Sequence, residues 1–256
     1  MSDTVVSVEG LVNRFGEQTV HDNLSLQVQR DEIFSIIGGS GSGKSVLLRT
    51  LLGLQPPTAG RIRVLGRAIH DGEQPPFERI GAVFQQGALW SQLSVCENVM
   101  FPIQQHTRVS TRTCRELAEL KLRMTGLGRE AFDKRPAEIS GGMRKRAGLA
   151  RALALDPVLI FLDEPTAGLD PLAATEFDRL LEYLCRNLDL TVVMITHDLD
   201  SLFRLSDRVA VLVDGGARVG TLDEVRRSDH PWIRNYFGDP RARVASGIGE
   251  ALESAD

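Results

Sequence analysis

The chain has 256 residues, 42% of them hydrophobic, and a formal net charge of -4, with a sequence pI near 5.8. That length supports one large domain or a domain with a subdomain, and the acidic balance argues against nucleic acid as a partner. The three cysteines, Cys96, Cys114 and Cys185, are odd in number and widely spaced; they fit neither a zinc pattern nor a disulfide framework, which points to a reducing compartment.

In chain order, "MSDTVVSVEG" lacks a basic region followed by a long apolar run and does not read as a signal peptide. "TVVSVEG" and "LSLQVQR" alternate apolar and polar residues, as half-buried antiparallel strands do. "EIFSII" (Glu32 to Ile37) is continuously apolar, suited to a sheet covered on both faces. It runs into a Gly-rich loop and then the helix "KSVLLRTLLGL", which Pro56 and Pro57 end. "GRIRVLG" and "RIGAVFQ" read as further strands. From Val95 to about Arg135 the pattern is helical, with Leu117, Leu120, Met124 and Leu127 recurring at helical spacing. "VLIFLDE" is a buried strand, Asp170-Pro171 opens a helix running to Asn187, and "TVVMITH" is another apolar strand. "DRVAVLVDGGARVG" predicts a hairpin turning at Asp214-Gly215-Gly216.

The longest apolar runs, such as "VLIFL" at Val158 to Leu162, fall far short of the roughly 20 residues that a membrane span needs. A soluble protein is expected, with any membrane role supplied through a partner. Strands alternating with helices imply an α/β core, with a mixed sheet, an antiparallel β subdomain and an inserted α-helical subdomain at about 87–155. A domain over 1–238 is expected, followed by a polar tail over 239–256.

The chemistry lies in short stretches in a fixed order. "GGSGSGKS" (Gly38, Gly39, Ser40, Gly41, Ser42, Gly43, Lys44, Ser45) fits the P-loop pattern. Its glycines let backbone amides face phosphate oxygens, Lys44 reaches the β- and γ-phosphates, and the Ser45 hydroxyl can ligate Mg2+. "VLIFLDEP" sets Asp163 and Glu164 at a strand's carboxyl end, where ligands of open α/β sheets sit. Asp163 can hold Mg2+ through water, and Glu164 can polarise an attacking water. Without the P-loop such a pair would read as a solvated loop start. Gln85 ends another strand, with an amide able to touch both Mg2+ and water. His197 can donate to a γ-phosphate or serve as a cap or packing residue. Phe15 can stack on an adenine ring or belong to a core. "EISGGMRKRAGLARALAL" holds a second anion-type helix start at Ser140-Gly141-Gly142, on a helix bearing Arg144, Lys145, Arg146 and Arg151.

Together these stretches resemble the ATP-binding subunits of ABC transporters, from Phe15-Gly16 to about Val219. The matching stretches are "GGSGSGKS", Gln85, the signature "ISGGM", "FLDEP", the loop "AGLD" ending at Asp170, and the switch histidine His197. The resemblance implies an ATPase of P-loop NTPase fold using ATP and Mg2+. It implies two copies packed head to tail, with Ser140, Gly141, Gly142 and Met143 of one chain capping the γ-phosphate held by the other. Three positions depart from the family pattern. Met143 replaces the usual glutamine, Val46 a frequent threonine, and Asp31 a frequent glycine; none removes a catalytic group.

"FQQGALWSQLSVCENVMFPIQQHT" and "SGGMRKRAGLARALALDP" are further similar to the ATPases of the Mla/Mce lipid-transport group. That likeness implies phospholipid or lipid movement between the two membranes of Gram-negative bacteria. It also implies a permease, an Mce-domain protein and often a small STAS-domain protein as partners, at the cytoplasmic face of the inner membrane. Ala88, Leu89, Trp90, Leu93, Val95, Val99, Met100 and Phe101 crowd the segment after Gln85. They read either as the core of the helical lobe or as a groove for a permease helix. The alternatives are an ABC ATPase for another cargo, such as an amino acid or drug, a non-transport ABC protein, and a nucleotide switch with little turnover.

Overall fold

The computed structural model describes residues 3–70 and 75–238, with Gln86 described by its backbone alone. The tail expected over 239–256 lies outside the described residues. The chain divides into two units, Met1–Pro75 with Val193–Asp256, and Pro76–Val192. The elements begin with β1 (Thr4–Phe15), β2 (Gln18–Gln29), β3 (Ile33–Gly38), α1 (Lys44–Leu51), β4 (Ala59–Val64) and β5 (Arg67–Ile69). Then come β6 (Ile80–Val83), α2 (Val95–His106), α3 (Thr111–Met124), α4 (Gly141–Ala152), β7 (Leu159–Asp163) and α5 (Pro171–Leu188). The chain continues through β8 (Thr191–Ile195), α6 (Leu199–Leu205), β9 (Arg208–Val213), β10 (Gly216–Gly220), α7 (Leu222–Arg226) and α8 (Pro231–Gly238). The fold is α/β, with a mixed sheet and an antiparallel sheet.

In the first unit, strands lie in the order β2, β1, β4, β5. The two alternating stretches near the start pair antiparallel, Val6 opposite Val28 and Val8 opposite Leu26, and all four side chains are buried. The continuously apolar strand β3 lies between β9 and β8 and runs parallel to β9, Ile36 opposite Ala210. Ile37, Val209 and Val211 pack with Leu202, Val225, Ile233 and Phe237 from α6, α7 and α8. This burial makes β3 a rigid base for the loop that follows it. The β9–β10 hairpin forms as expected, but its loop is shorter. Asp214 and Gly215 take positive φ angles of 52° and 75°, and Gly216 already pairs with Val213. Two left-handed residues match the strand twist, so the third position returns to the ladder.

In the second unit β6 runs parallel to β7, Val83 opposite Leu162. Helix α2 starts on a capping box between Ser94 and Glu97. Its Val95, Cys96, Val99 and Ile103 pack with Cys114, Ala118 and Leu122 of α3 and with Ala147 and Ala150 of α4. Helix α3 forms where the helical spacing predicts it, but the core meets other residues than its spaced leucines. Leu117 and Leu120 face outward, 36% and 51% exposed, while Cys114, Ala118, Lys121 and Leu122 face the core. Cys114 and Ala118 bring short side chains to the contact with α2 and α4. Lys121 is buried there with its ammonium on Asp156. Helix α5 is capped by Asp170, whose carboxylate accepts from the Ala173 N–H at 3.0 Å.

Candidate functional site

The P-loop lies in the first unit, between β3 and α1. Gly43 carries a φ of 91°. A Cβ there would fall 2.5 Å from the Val20 Cγ1 and closer still to the His21 Nε2, so only glycine fits. The Lys44 ammonium donates to the carbonyls of Gly38 at 2.7 Å and Gly39 at 3.0 Å. This arches the side chain back over the loop. Ser40, Gly41 and Ser45 are exposed, with Ser45 in the first turn of α1, where the helix dipole favours negative charge. Val46 sits beneath, its carbonyl accepting from the Thr50 hydroxyl at 2.8 Å.

His21 lies fully buried beside the loop, its Nδ1 3.0 Å from the Asn13 side-chain oxygen. Burial pushes the imidazole down to about 4, against a smaller upward pull from the backbone of Gly43 and Ser42, so it is neutral near pH 7. Phe15, ending β1, is 46% exposed. It is therefore not a core phenylalanine, and its face is open to stacking. His197 is exposed at the end of β8; the preceding Thr196 N–H meets the Ile36 carbonyl of β3 at 3.4 Å.

In the second unit the structure brings Gln85, Glu164 and the signature helix together. The Gln85 amide donates to the Glu164 carboxylate at 3.1 Å. Glu164 follows β7 with a φ of 50°, a left-handed conformation rare for a side chain of this size. Asp163, the last residue of β7, is half-buried. A 570 Å³ cavity is lined by Gln85, Gly141, Arg144, Lys145 and the Ala167–Leu169 turn, among others. Ser140 caps α4, its hydroxyl accepting from the Met143 N–H at 3.2 Å. The amides of Gly141 and Gly142 thus head the helix, and Met143 packs on the helical core.

The four cations of α4 turn out to be used within this unit. Arg144 donates to the carbonyls of Pro136 and Ile139, Lys145 to that of Glu164, and Arg151 to those of Gly87 and Ala88. Arg146 donates to the Thr125 carbonyl and to Glu176. The first amides of the helix and its dipole remain an anion-type feature beside these side chains. Sequence reading noted Lys145 and Arg151 only as charges. Their carbonyl partners lie 19 and 63–64 residues away in the chain, and no local signal marks such pairs.

The crowded segment after Gln85 splits in two. Val95, Val99 and Met100 are core, whereas Trp90 and Phe101 are 45% and 39% exposed. Their rings sit 4.4 Å apart, with the Arg151 guanidinium 5.1 Å over Trp90. They line a 370 Å³ groove with Phe77, Ile80, Pro102 and Leu155. Asn98 pins the turn by main-chain contacts, accepting from the Trp90 N–H at 2.8 Å and donating to its carbonyl at 3.1 Å.

A family model described as "ABC transporter" matches residues 21–167, and the chain belongs to that family. It is 36% identical over 222 residues to the intermembrane phospholipid transport system ATP-binding protein MlaF of Haemophilus influenzae, covering 84% of this chain and 82% of that one. It is 41% identical over 255 residues to the methionine import ATP-binding protein MetN of Mesorhizobium japonicum, covering 98% of this chain and 67% of that one. Among solved structures it is similar to a dimeric ATP-binding cassette in a post-hydrolysis state with ADP and Pi bound, at a TM-score of 0.77 and 31% identity, over 85% of this chain and 98% of that one. The protein is an ATP-binding ATPase of the ABC transporter family. Among the described residues, no helix is long and apolar enough to cross a membrane.

Proposed function

We propose that the chain powers an ABC transporter for phospholipid or another lipid, as two copies packed head to tail beneath a membrane permease. The observation that carries the catalytic part is the Gln85–Glu164 bond, which aims a carboxylate from a left-handed turn beside the signature helix. In this reading the P-loop amides and Lys44 hold the phosphates, Phe15 stacks on the base, and His197 donates to the γ-phosphate. Glu164 takes the proton of the attacking water, and Gln85 orients both. Ser140, Gly141 and Gly142 serve the nucleotide of the other copy, with Met143 as their packing anchor, and Asp170 lies in the loop between them. Ser45, Asp163 and Gln85 offer hard oxygen donors, a set that suits Mg2+. That ion would supply charge neutralisation on the β- and γ-phosphates.

The Trp90–Phe101 groove supports docking of an apolar permease segment, and in this reading the protein works at the cytoplasmic face of the inner membrane. Lipid as cargo rests on the similarity to MlaF, and a methionine-type cargo is the second reading, on the similarity to MetN. An Mce-domain protein and a small STAS-domain protein complete the proposed complex. Tagged protein purified from membranes tests this. Co-purifying permease and Mce-domain subunits with bound phospholipid support the lipid reading, whereas a substrate-binding protein for an amino acid refutes it.

A further inference from the structure

We infer that Lys145 is a positioning residue for Glu164, tying the signature helix to the carboxylate that the reading above makes the general base. The inference rests on that reading. Lys145 lies in the second turn of α4, only 6% exposed, and its ammonium donates to the Glu164 carbonyl at 2.9 Å. The same carbonyl accepts the Ala167 N–H at 3.2 Å, closing the turn after β7. Glu164 stands in the left-handed region at φ 50°. Such a conformation persists only where its surroundings hold it. Two donors on one carbonyl fix the orientation of the peptide that follows Glu164, and the Gln85 amide then fixes its carboxylate at 3.1 Å. Burial lowers the Lys145 ammonium from its ordinary value, opposed by the nearby charges of Glu164 and Asp163.

A buried lysine is a costly way to hold a fold, because a well-packed apolar side chain is often as stable. Its placement makes sense if the side chain carries position. Lys145 begins four residues after Gly141, on the helix whose first amides serve a phosphate in the proposed mechanism. A shift of α4 on engaging that phosphate would move the Glu164 peptide of the same chain. This gives each nucleotide site a mechanical line to the other.

The test is steady-state ATP hydrolysis by the full chain carrying Lys145→Met, which keeps the apolar stem and removes the donor. Expected are a kcat lower by ~10-fold or more, a KM for ATP within about twofold, and a melting temperature near wild type, since binding groups are untouched and misplacing a reacting group chiefly slows turnover. Lys145→Arg restores a donor and should recover much of kcat. If the Met variant does not fold, Lys145→Leu replaces it, with no donor and the same expected loss. Wild-type kcat in these variants beside an inactive Glu164→Gln overturns the role of Lys145 alone. A loss that comes with a matching rise in KM, or that Lys145→Arg does not relieve, makes the residue a mere strut and also overturns it. Normal turnover in Glu164→Gln overturns the base assignment and this role with it.

Discussion

Gly43→Ala is the most direct perturbation of the P-loop. At φ 91° an L side chain is strained, at a cost of roughly 1–2 kcal/mol. The added methyl would also sit 2.5 Å from the Val20 Cγ1 and nearer to His21, an overpacking of roughly 1–3 kcal/mol. The sum is about 2–5 kcal/mol. The neighbours are poorly placed to yield. Both belong to β2, where Thr19 and His21 pair with β1 on either side of Val20, and His21 is held by Asn13. On the other side, the Gly43 carbonyl accepts the Leu47 N–H at 2.8 Å, which starts α1. The exposed loop residues therefore give way, and the nucleotide must pull them back. If that cost falls on binding, the Kd for ATP rises about 30-fold to about 4,000-fold. Titration with ATP measures it, and a nucleotide-free thermal melt detects any part that falls on the fold instead. Val20→Ala in the Gly43→Ala background removes one of the two contacts and should recover part of the loss. A Gly43→Ala protein with wild-type Kd and wild-type melting temperature would refute the reasoning.

Glu164→Gln should still bind ATP while turnover falls ~100-fold or more, within the range for losing a general base; near-normal phosphate release rules out the assignment. Gly142→Asp has room within its own chain, the nearest atom to an added Cβ being the Leu169 Cδ2 at 3.8 Å. It should keep ATP binding but lose hydrolysis, with some activity restored on mixing with Lys44→Ala if the signature works in trans; lost nucleotide binding by the isolated variant would mean that it acts in cis. Trp90→Glu gives up a half-exposed ring and its Phe101 contact, about 1–3 kcal/mol. It should fold and bind ATP yet fail to co-purify with a permease; a much larger drop in melting temperature would make Trp90 core. His21 has a folded value of about 4 against an ordinary 6.5. The unfolded chain therefore takes up the proton first, and stability that is complete above pH 6.5 is lost as pH falls from 6.5 toward 4. Between pH 7 and pH 5 the loss is about 2 kcal/mol, readable from urea midpoints, and His21→Gln should lack that share of the slope.

The pattern of apolar residues already separates the strands from the helices, because alternation and continuous burial are properties of neighbours along the chain. β3 followed by Gly38–Ser45 is of this kind, and so is the Asp170-Pro171 helix start, whose cap closes within three residues. Which face of a helix meets the core is another matter. Leu117 and Leu120 of α3 keep helical spacing as well as Cys114 and Ala118 do, and only the approach of α2 and α4 selects the small-residue stripe.

The same division runs through the chemistry. The P-loop, the acidic strand end and the Ser-Gly-Gly turn were determined by sequence alone, since each is a short run of chain neighbours, and in the P-loop Gly43 also takes a φ that few residue types permit. The employment of the charges was decided by tertiary structure. Arg144, Lys145, Arg146 and Arg151 look alike as a cationic run. In the fold each reaches a backbone carbonyl at a turn or a helix end. Long, flexible side chains settle on whatever acceptor the packed backbone brings within reach, and that acceptor is set by contacts far along the chain. Lys145 could thus be read from the sequence as a charge, but its hold on the Glu164 carbonyl exists only because α4 packs against the turn after β7.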